Sequence, residues 1–353
     1  MTLSKTQEAF VTKVRAVGNS EMSVALDDEI CSYLVAVVAT DLGLLNSYPE
    51  FPRSVPAFFG NRPLDELRLR NADFRTLFEK LISLKPDADA YFYCLATLHK
   101  ARLKYERILQ AQPTPTVDQV GPRALLQFGS LSPRALAALL LWRKWIYDID
   151  NRAAQETGYV FEPIIAHAIG GVPVSAQKSP VRRSGNGAGR QVDCIRETDK
   201  RAYEIKLRVT IAASGQGRWQ EELDFPADAR SSGYTPVLVV LDPTPNPKLT
   251  ELRQKFQAQK GETFVGTEAW KHLEDKAGAT MAVFLENYVR VPMQSLLREA
   301  PDQLPELVLQ MTDKQLTIRV GDEELKISRA PREELAGPAD PLPPDVDEHI
   351  PTP

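Results

Sequence analysis

The sequence predicts a mixed α/β (α+β) fold in which a helical region precedes a mixed central sheet flanked by helices. Residues 1–150 place apolar side chains at helical spacing. A hairpin with strict alternation of apolar and polar residues follows, and Pro236–Leu241 is a continuous apolar run, typical of a strand that helices bury on both faces. A chain of 353 residues suits one large domain or two smaller ones, and we divide it after residue 150.

Four amphipathic segments make up the predicted helical region. The first begins at Asp27 or Asp28, either of which can cap a helix. The last begins at Ser132-Pro133, an N-cap followed by proline at the first helical position. That last segment covers Arg134–Ile149. The second and third segments are Asn71–Leu84 and Ala88–Leu109. Nothing in these helices indicates whether they dimerise, contact DNA or only support the rest of the chain.

Residues 151–300 contain the predicted core. We expect a helix ended by Gly170-Gly171, a flexible glycine-rich loop, a hairpin, a helix that Pro226 kinks or splits, the buried strand and two more helices. In chain order these segments are Thr157–Ile169, Ser184–Arg190, Val192–Glu197 with Arg201–Thr210, Gln216–Arg230, Pro236–Leu241, Leu249–Gln259 and Glu268–Val289.

Two further segments follow the core. Within residues 301–330, Gln315–Val320 and Glu324–Ser328 predict a hairpin with Gly321-Asp322 in its turn. Residues 331–353 contain seven prolines, six acidic residues and one arginine, so we expect a disordered tail. Subtracting the tail's net charge of −5 from the total of −4 leaves residues 1–330 at +1. This near-neutral balance neither supports nor excludes a nucleic-acid partner.

Composition narrows the classes of protein and of metal site. No apolar run is long enough to span a membrane, and the N-terminus lacks the pattern of a secretory signal. Three scattered cysteines indicate neither a disulfide framework nor a zinc site, so a reducing cytoplasm is expected. Because only four scattered histidines are present, any bound metal should have oxygen ligands.

The candidate catalytic residues lie on the predicted hairpin. Glu204 and Lys206 are two apart on one strand and therefore project from the same face, whereas Asp193 begins the paired strand. Two carboxylates that share a divalent metal, with an ammonium beside them, can hydrolyse a phosphodiester, because the metal neutralises developing charge and the lysine orients the attacking water. The alternative is a cross-strand salt bridge on a solvated face.

Glu162 is a fourth candidate, on the helix before the hairpin. Its carboxylate there can lean over the site, bind the metal through water or fix Lys206, and the alternative is a surface glutamate. Glu156 is a weaker choice on the same helix.

Candidate DNA contacts flank the hairpin. Arg182, Arg183 and Arg190 border the glycine-rich loop, which lacks the ending of a phosphate-binding P-loop and precedes a strand, so we reject nucleotide binding. The loop either reaches DNA or is a plain connection. Gln216 and Arg218 follow the strand that carries Glu204, and glutamine and arginine can each read a base edge with two hydrogen bonds.

These residues resemble a known superfamily. Asp193, Glu204 and Lys206, preceded by Glu162, are similar to the PD-(D/E)xK nucleases, with Val192-Asp193 in place of the usual Pro-Asp. The segments 203–218 and 233–245 are similar to ApaLI-like type II restriction endonucleases. This resemblance implies a Mg²⁺-dependent homodimer that cuts both strands of duplex DNA at a short palindrome, with Asp193 and Glu204 as metal ligands. It also implies a companion DNA methyltransferase, and GTGCAC is the sequence read by the family's eponymous member.

Two rival functions remain open from the sequence. A repair or recombination nuclease would keep the chemistry and prefer nicks, flaps or junctions. A non-catalytic DNA-binding or interaction protein would use the hairpin's charges only as a salt bridge.

Overall fold

The structure, a computed structural model, describes residues 3–18, 22–207 and 216–331, without the side chains of residues 216–218. Residues 332–353, nearly all of the predicted tail, lie outside the described residues, as do Arg208, Val209 and Thr210 at the end of the predicted hairpin.

Helices fill the first half of the chain, as predicted. They are α1 (Lys5–Arg15), α2 (Asp28–Asp41), α3 (Phe74–Leu84), α4 (Ala88–Ala111), α5 (Val117–Ala124) and α6 (Pro133–Ala168). The Asp27 side chain caps α2 by accepting a 2.9 Å hydrogen bond from the backbone N–H of Ile30. Ser132 caps α6, and Pro133 occupies its first turn, also as predicted.

Helix α6 corrects one expectation. The segments Arg134–Ile149 and Thr157–Ile169, predicted as two helices, form one helix of 36 residues. The intervening residues include Ala153, Ala154, Gln155 and Glu156, which favour helix and give the chain no reason to turn. The division after residue 150 therefore falls inside a helix.

A five-stranded mixed sheet follows. Its strands are β1 (Val172–Val174), β2 (Val192–Arg196), β3 (Arg201–Lys206), β4 (Thr235–Val240) and β5 (Glu262–Val265), and they lie in that order. Strands β1, β2 and β3 pair antiparallel, whereas β3, β4 and β5 pair parallel. The hairpin β2–β3 and the buried strand β4 confirm the prediction, but the short strands β1 and β5 were not predicted.

The two faces of the sheet have different neighbours. Tyr203 and Ile205 belong to the large core shared with α2, α4 and α6. Ala202 belongs to a second core with Leu238, which includes residues of α7 (Gln216–Ser231) and α8 (Pro247–Ala258). Because residues two apart share a face, Glu204 and Lys206 project toward this second core. They are half-buried rather than solvated.

The later helices differ in detail from their prediction. Helix α7 continues through Pro226 without splitting, and the buried neighbours Phe225 and Ala229 fix it against the sheet. The predicted helix Glu268–Val289 is α9 (Thr267–Leu285), which contains a non-helical Gly278 with φ 71°, followed by a π-helical turn, Glu286–Arg290. Helix α10 (Val291–Arg298) completes this part of the chain.

The C-terminal hairpin belongs to a three-stranded sheet. Strands β7 (Gln315–Val320) and β8 (Glu323–Ser328) confirm the hairpin, and β6 (Leu307–Met311), which was not predicted, pairs antiparallel with β7. Leu316 and Ile327 of this sheet pack with Trp145 of α6. None of the helices in the described ranges is long and apolar enough to cross a membrane.

Candidate active site

The hairpin brings three predicted residues together. The pairing of Cys194 with Tyr203 places the adjacent Asp193 and Glu204 at the same level of the two strands. Oδ2 of Asp193 accepts a 2.8 Å hydrogen bond from the backbone N–H of Ile205, the residue between Glu204 and Lys206. The carboxylate of Asp193 is thereby held beside the Glu-x-Lys segment by the backbone itself.

Lys206 lies between two carboxylates. Its Nζ is 3.0 Å from Oε1 of Glu204 and 3.3 Å from Oε2 of Glu222, a residue of α7. The side chains of Lys206 and Glu204 are each 16% exposed and that of Glu222 is 21% exposed, so water screens these contacts only partly. The ammonium is therefore oriented from both the sheet and the helix that covers it.

Glu222 was missed in the sequence. Helix α7 carries three acidic residues close together, Glu221, Glu222 and Asp224, and only the packing of the helix shows which one faces Lys206. Glu221 turns instead toward Arg183, and Asp224 accepts a hydrogen bond from Gln220. The available signal was position alone, since α7 follows the strand that carries Glu204.

The electrostatics identify a cluster of negative charge. Burial raises the pKa of Asp193 well above its ordinary value, and the neighbouring carboxylates of Glu204 and Glu162 raise it further. The hydrogen bond from Ile205 and the charge of Lys206 oppose this rise. Burial alone would lower the pKa of Lys206, but attraction to Glu204, Glu222 and Asp193 outweighs burial and raises it.

Glu162 belongs to the same cluster. It lies half-buried on α6, which packs against β1 and β2, and its charge acts on Asp193. A carboxylate close enough to act on Asp193 is compatible with a role at the site, and that role stays a prediction. Glu156 forms a 2.6 Å ion pair with Lys104.

The glycine-rich loop contains backbone hydrogen bonds that form a turn. The backbone N–H of Arg183 donates to the carbonyl of Ala188 (2.8 Å), and that of Arg190 donates to the carbonyl of Val181 (2.9 Å). Gly187 occupies the turn with a φ of 70°, which glycine adopts without strain. The loop is closed on itself by its own backbone.

The predicted arginines of this loop have different surroundings. Arg190 is buried, forms a 2.7 Å ion pair with Asp228 of α7 and stacks on Phe225. Its guanidinium holds the loop to α7, and in this buried position it does not reach a DNA surface. Arg183 is half-buried and forms a 2.6 Å ion pair with Glu221, whereas Arg182 is exposed. The side chains of Gln216 and Arg218 lie outside the described residues.

Asp193 and Glu204 are the residues that fit a metal. Within the described residues, no group of three or more His, Cys, Asp or Glu side chains is arranged to hold a metal ion. Mg²⁺ fits a smaller donor set, because it is commonly bound by one or two carboxylates and completes its shell with water and substrate phosphate. Burial and the neighbouring charge of Glu204 raise the pKa of Asp193, and a divalent cation relieves such an excess of negative charge.

Sequence comparisons identify the family of this chain. The profile of the ApaLI-like restriction endonuclease family matches residues 64–290, which include helices α3 to α9 and the whole five-stranded sheet. The type II restriction enzyme ApaLI of Acetobacter pasteurianus is 43% identical to this chain over 350 residues, 91% of this chain and 92% of that enzyme. No solved structure matches. The chain therefore belongs to the ApaLI-like family of type II restriction endonucleases, which are site-specific deoxyribonucleases.

Proposed function

We propose that this restriction endonuclease makes Mg²⁺-dependent double-strand cuts in duplex DNA at a short palindrome, with Asp193, Glu204 and Lys206 as its active centre. The observation that supports this most directly is their convergence on one half-buried face of the sheet, with Nζ of Lys206 3.0 Å from Glu204. Neither a solvated salt bridge nor a structural hairpin requires a buried carboxylate beside two others.

Each residue has a separate role in the proposed reaction. Asp193 and Glu204 would hold Mg²⁺, which when bound supplies positive charge beside the scissile phosphate. Lys206 donates hydrogen bonds to the attacking water and orients it toward phosphorus. Glu222 positions the lysine from the side of α7. Glu162 bonds to water at the edge of the site and adds to its negative charge.

The proposed partners follow from the same reaction. A palindrome has two-fold symmetry, so a homodimer with one active centre per chain can cut both strands. Arg182 and Arg183 at the loop, with Gln216 and Arg218 beyond β3, are the proposed DNA contacts. A companion DNA methyltransferase would protect the host genome. We place the enzyme in the cytoplasm, where Cys31, Cys94 and Cys194, all free and buried, would stay reduced.

Cleavage mapping tests the proposed function. Phage DNA is incubated with the protein and Mg²⁺, and the cut ends are sequenced, with chelator and Lys206→Ala as controls. We expect discrete ends at one palindrome, with GTGCAC as the first candidate because the family resemblance implies it. Cleavage confined to nicks, flaps or junctions would favour a repair or recombination nuclease. Binding without any cleavage, or full cleavage by Lys206→Ala, would refute the proposed mechanism.

A further inference from the structure

An apolar surface covers the hairpin formed by α5 and the first half of α6. We call it the arm surface. Its most exposed members are in the connection between the helices, where Leu125, Leu126 and Phe128 are 79%, 88% and 69% exposed. Further exposed large apolar side chains lie on both sides of this connection. The arm surface comprises Val117, Leu125, Leu126, Phe128, Leu131, Leu139, Ile146 and Tyr147.

The arm has little core of its own. Val120 of α5 and Leu136 and Leu140 of α6 form a small buried cluster, separate from the two cores that hold the sheet. Leu139 and Ile146 are seven residues apart, so they lie on one side of α6 and extend the exposed surface along the helix. The arm therefore exposes eight large apolar side chains and buries three in the cluster between its own helices.

Charge is absent from the centre of this surface. The ten residues between Arg123 and Arg134 include no charged residue. An uncharged apolar centre with aromatic members and arginines at the margin is the composition of a protein–protein interface. Phosphate contacts with DNA would require lysine or arginine at the centre instead.

The size of the surface fits a dimer. Eight large apolar residues, most exposed by half or more, present on the order of 800 Å², which is what each partner of a stable complex typically buries. Typical monomers expose apolar patches of roughly 300–600 Å² at most. The arm surface therefore suits a protein partner of matching apolar character.

We propose that a second copy of this chain covers the arm surface and that the two arms pack on each other about a two-fold axis. The inference rests on the proposed function, since double-strand cleavage calls for two active centres and the described residues of one chain contain one. In a two-fold contact each arm contributes the same surface, so an apolar, uncharged patch is self-complementary. The helix that carries Glu162 would then join the active centre directly to the dimer contact.

Exposed apolar residues on α10 provide a matched comparison. Leu296, Leu297 and the nearby Leu304 are also strongly exposed. Arg298, Glu299 and Asp302 lie among these three leucines. On the arm the exposed charge of Arg143 lies on the α6 side, between Leu139 and Ile146, and residues 124–133 at the centre contain no charged residue. The α10 surface is therefore the weaker candidate for a two-fold contact.

The test compares two double variants by light scattering after size exclusion. We expect the wild type to have a mass of about 79 kDa, twice the 39.4 kDa of one chain. Leu126→Glu with Phe128→Glu should weaken dimerisation at least 100-fold and give one chain's mass. Leu296→Glu with Leu297→Glu should remain a dimer. Because all four side chains are exposed in a single chain, circular dichroism of each variant should show the wild-type helix content. The melting temperature should fall only in the arm variant, which loses the stabilisation that dimerisation provides.

Other outcomes would overturn the inference. A monomeric wild type at micromolar concentration, a dimer that survives the arm substitutions, or dissociation by the α10 substitutions would each exclude the arm as the dimer contact. As a second measurement, amide hydrogen exchange over residues 117–147 should slow as protein concentration rises. The variant Lys206→Met separates this inference from the proposed function, because it should stay dimeric while losing cleavage.

Discussion

Replacing Lys206 by methionine should separate the chemistry of the site from its stability. The substitution keeps much of the aliphatic stem and removes the ammonium that lies 3.0 Å from Glu204 and 3.3 Å from Glu222. At an effective dielectric constant of about 20, each contact represents roughly 5 kcal/mol of gross attraction. Desolvation offsets much of this, and breaking a buried ion pair costs about 3–5 kcal/mol.

We expect the lower end of that range, about 3 kcal/mol, because the three side chains are 16–21% exposed. For 353 residues the entropy of unfolding is about 0.7 kcal/mol per kelvin, so the melting temperature should fall by about 4 °C. Since the pKa of Lys206 is raised in the fold, its stabilising contribution is complete below the ordinary value of 10.5 and is lost only at higher pH. Melting at pH 7.5 therefore measures all of it.

Adding Glu222→Gln to Lys206→Met should separate the loss of stability from the loss of cleavage. It removes one of the carboxylates that Lys206→Met leaves without a counter-charge, so about half of the lost melting temperature should return. Cleavage should stay at least 100-fold below wild type in both variants, because the positioned ammonium is absent. Lys276→Met is the matched control. Lys276 lies 3.4 Å from Asp199, which also pairs with arginines, so cleavage should be unchanged.

Cleavage at the wild-type rate by Lys206→Met would refute the catalytic role of Lys206. Failure of Glu222→Gln to recover any stability would show that α7 does not bring its carboxylate against Lys206. The assay is supercoiled plasmid cleavage under single-turnover conditions, with thermal melting of the same preparations. Both readouts are needed, because a variant that is only unstable would lose both and regain both.

Three further predictions concern the charges around the hairpin. Asp193→Asn should abolish cleavage yet stabilise the metal-free protein at pH 7.5. The raised pKa of Asp193 makes the fold less stable as pH rises above its ordinary value of 3.8, so the gain should vanish in melts below pH 3.8. Arg190→Ala should lower the free energy of unfolding by about 3–5 kcal/mol in urea titrations, since it leaves Asp228 buried without its partner. Arg182→Ala should leave stability unchanged and reduce the slope of log K against log salt by about 1 in DNA-binding titrations.

The local part of the site could be predicted from the sequence. Alternation along Arg201–Lys206 assigns Glu204 and Lys206 to one face, and a short turn brings Asp193 back beside them. The apolar run of β4 likewise identifies the buried centre of the sheet. These features depend on neighbours a few residues apart, and periodicity records such neighbours directly.

The remainder depends on contacts between distant segments. Nothing near Glu222 distinguishes it from Glu221, because packing of α7 on the sheet decides which carboxylate meets Lys206. From the sequence alone, Arg190 is one of several arginines beside the loop. In the structure it is buried against Asp228 and Phe225, which lie more than thirty residues away. Strand β5 is four residues long and is defined by its pairing with β4 rather than by its own pattern.

The arrangement of charge around Asp193 argues for function over stability. A fold gains nothing by placing the carboxylates of Asp193, Glu204 and Glu162 close enough to repel. After burial, the charges of Glu204 and Glu162 are the next largest causes of the raised pKa of Asp193. The positive charge of Lys206 offsets part of this repulsion, but Lys206 also forms an ion pair with Glu222. The remaining negative charge is destabilising in the free protein and favourable once a cation is present. Such a cluster is the arrangement expected of a site that binds a divalent cation, as the proposed function requires.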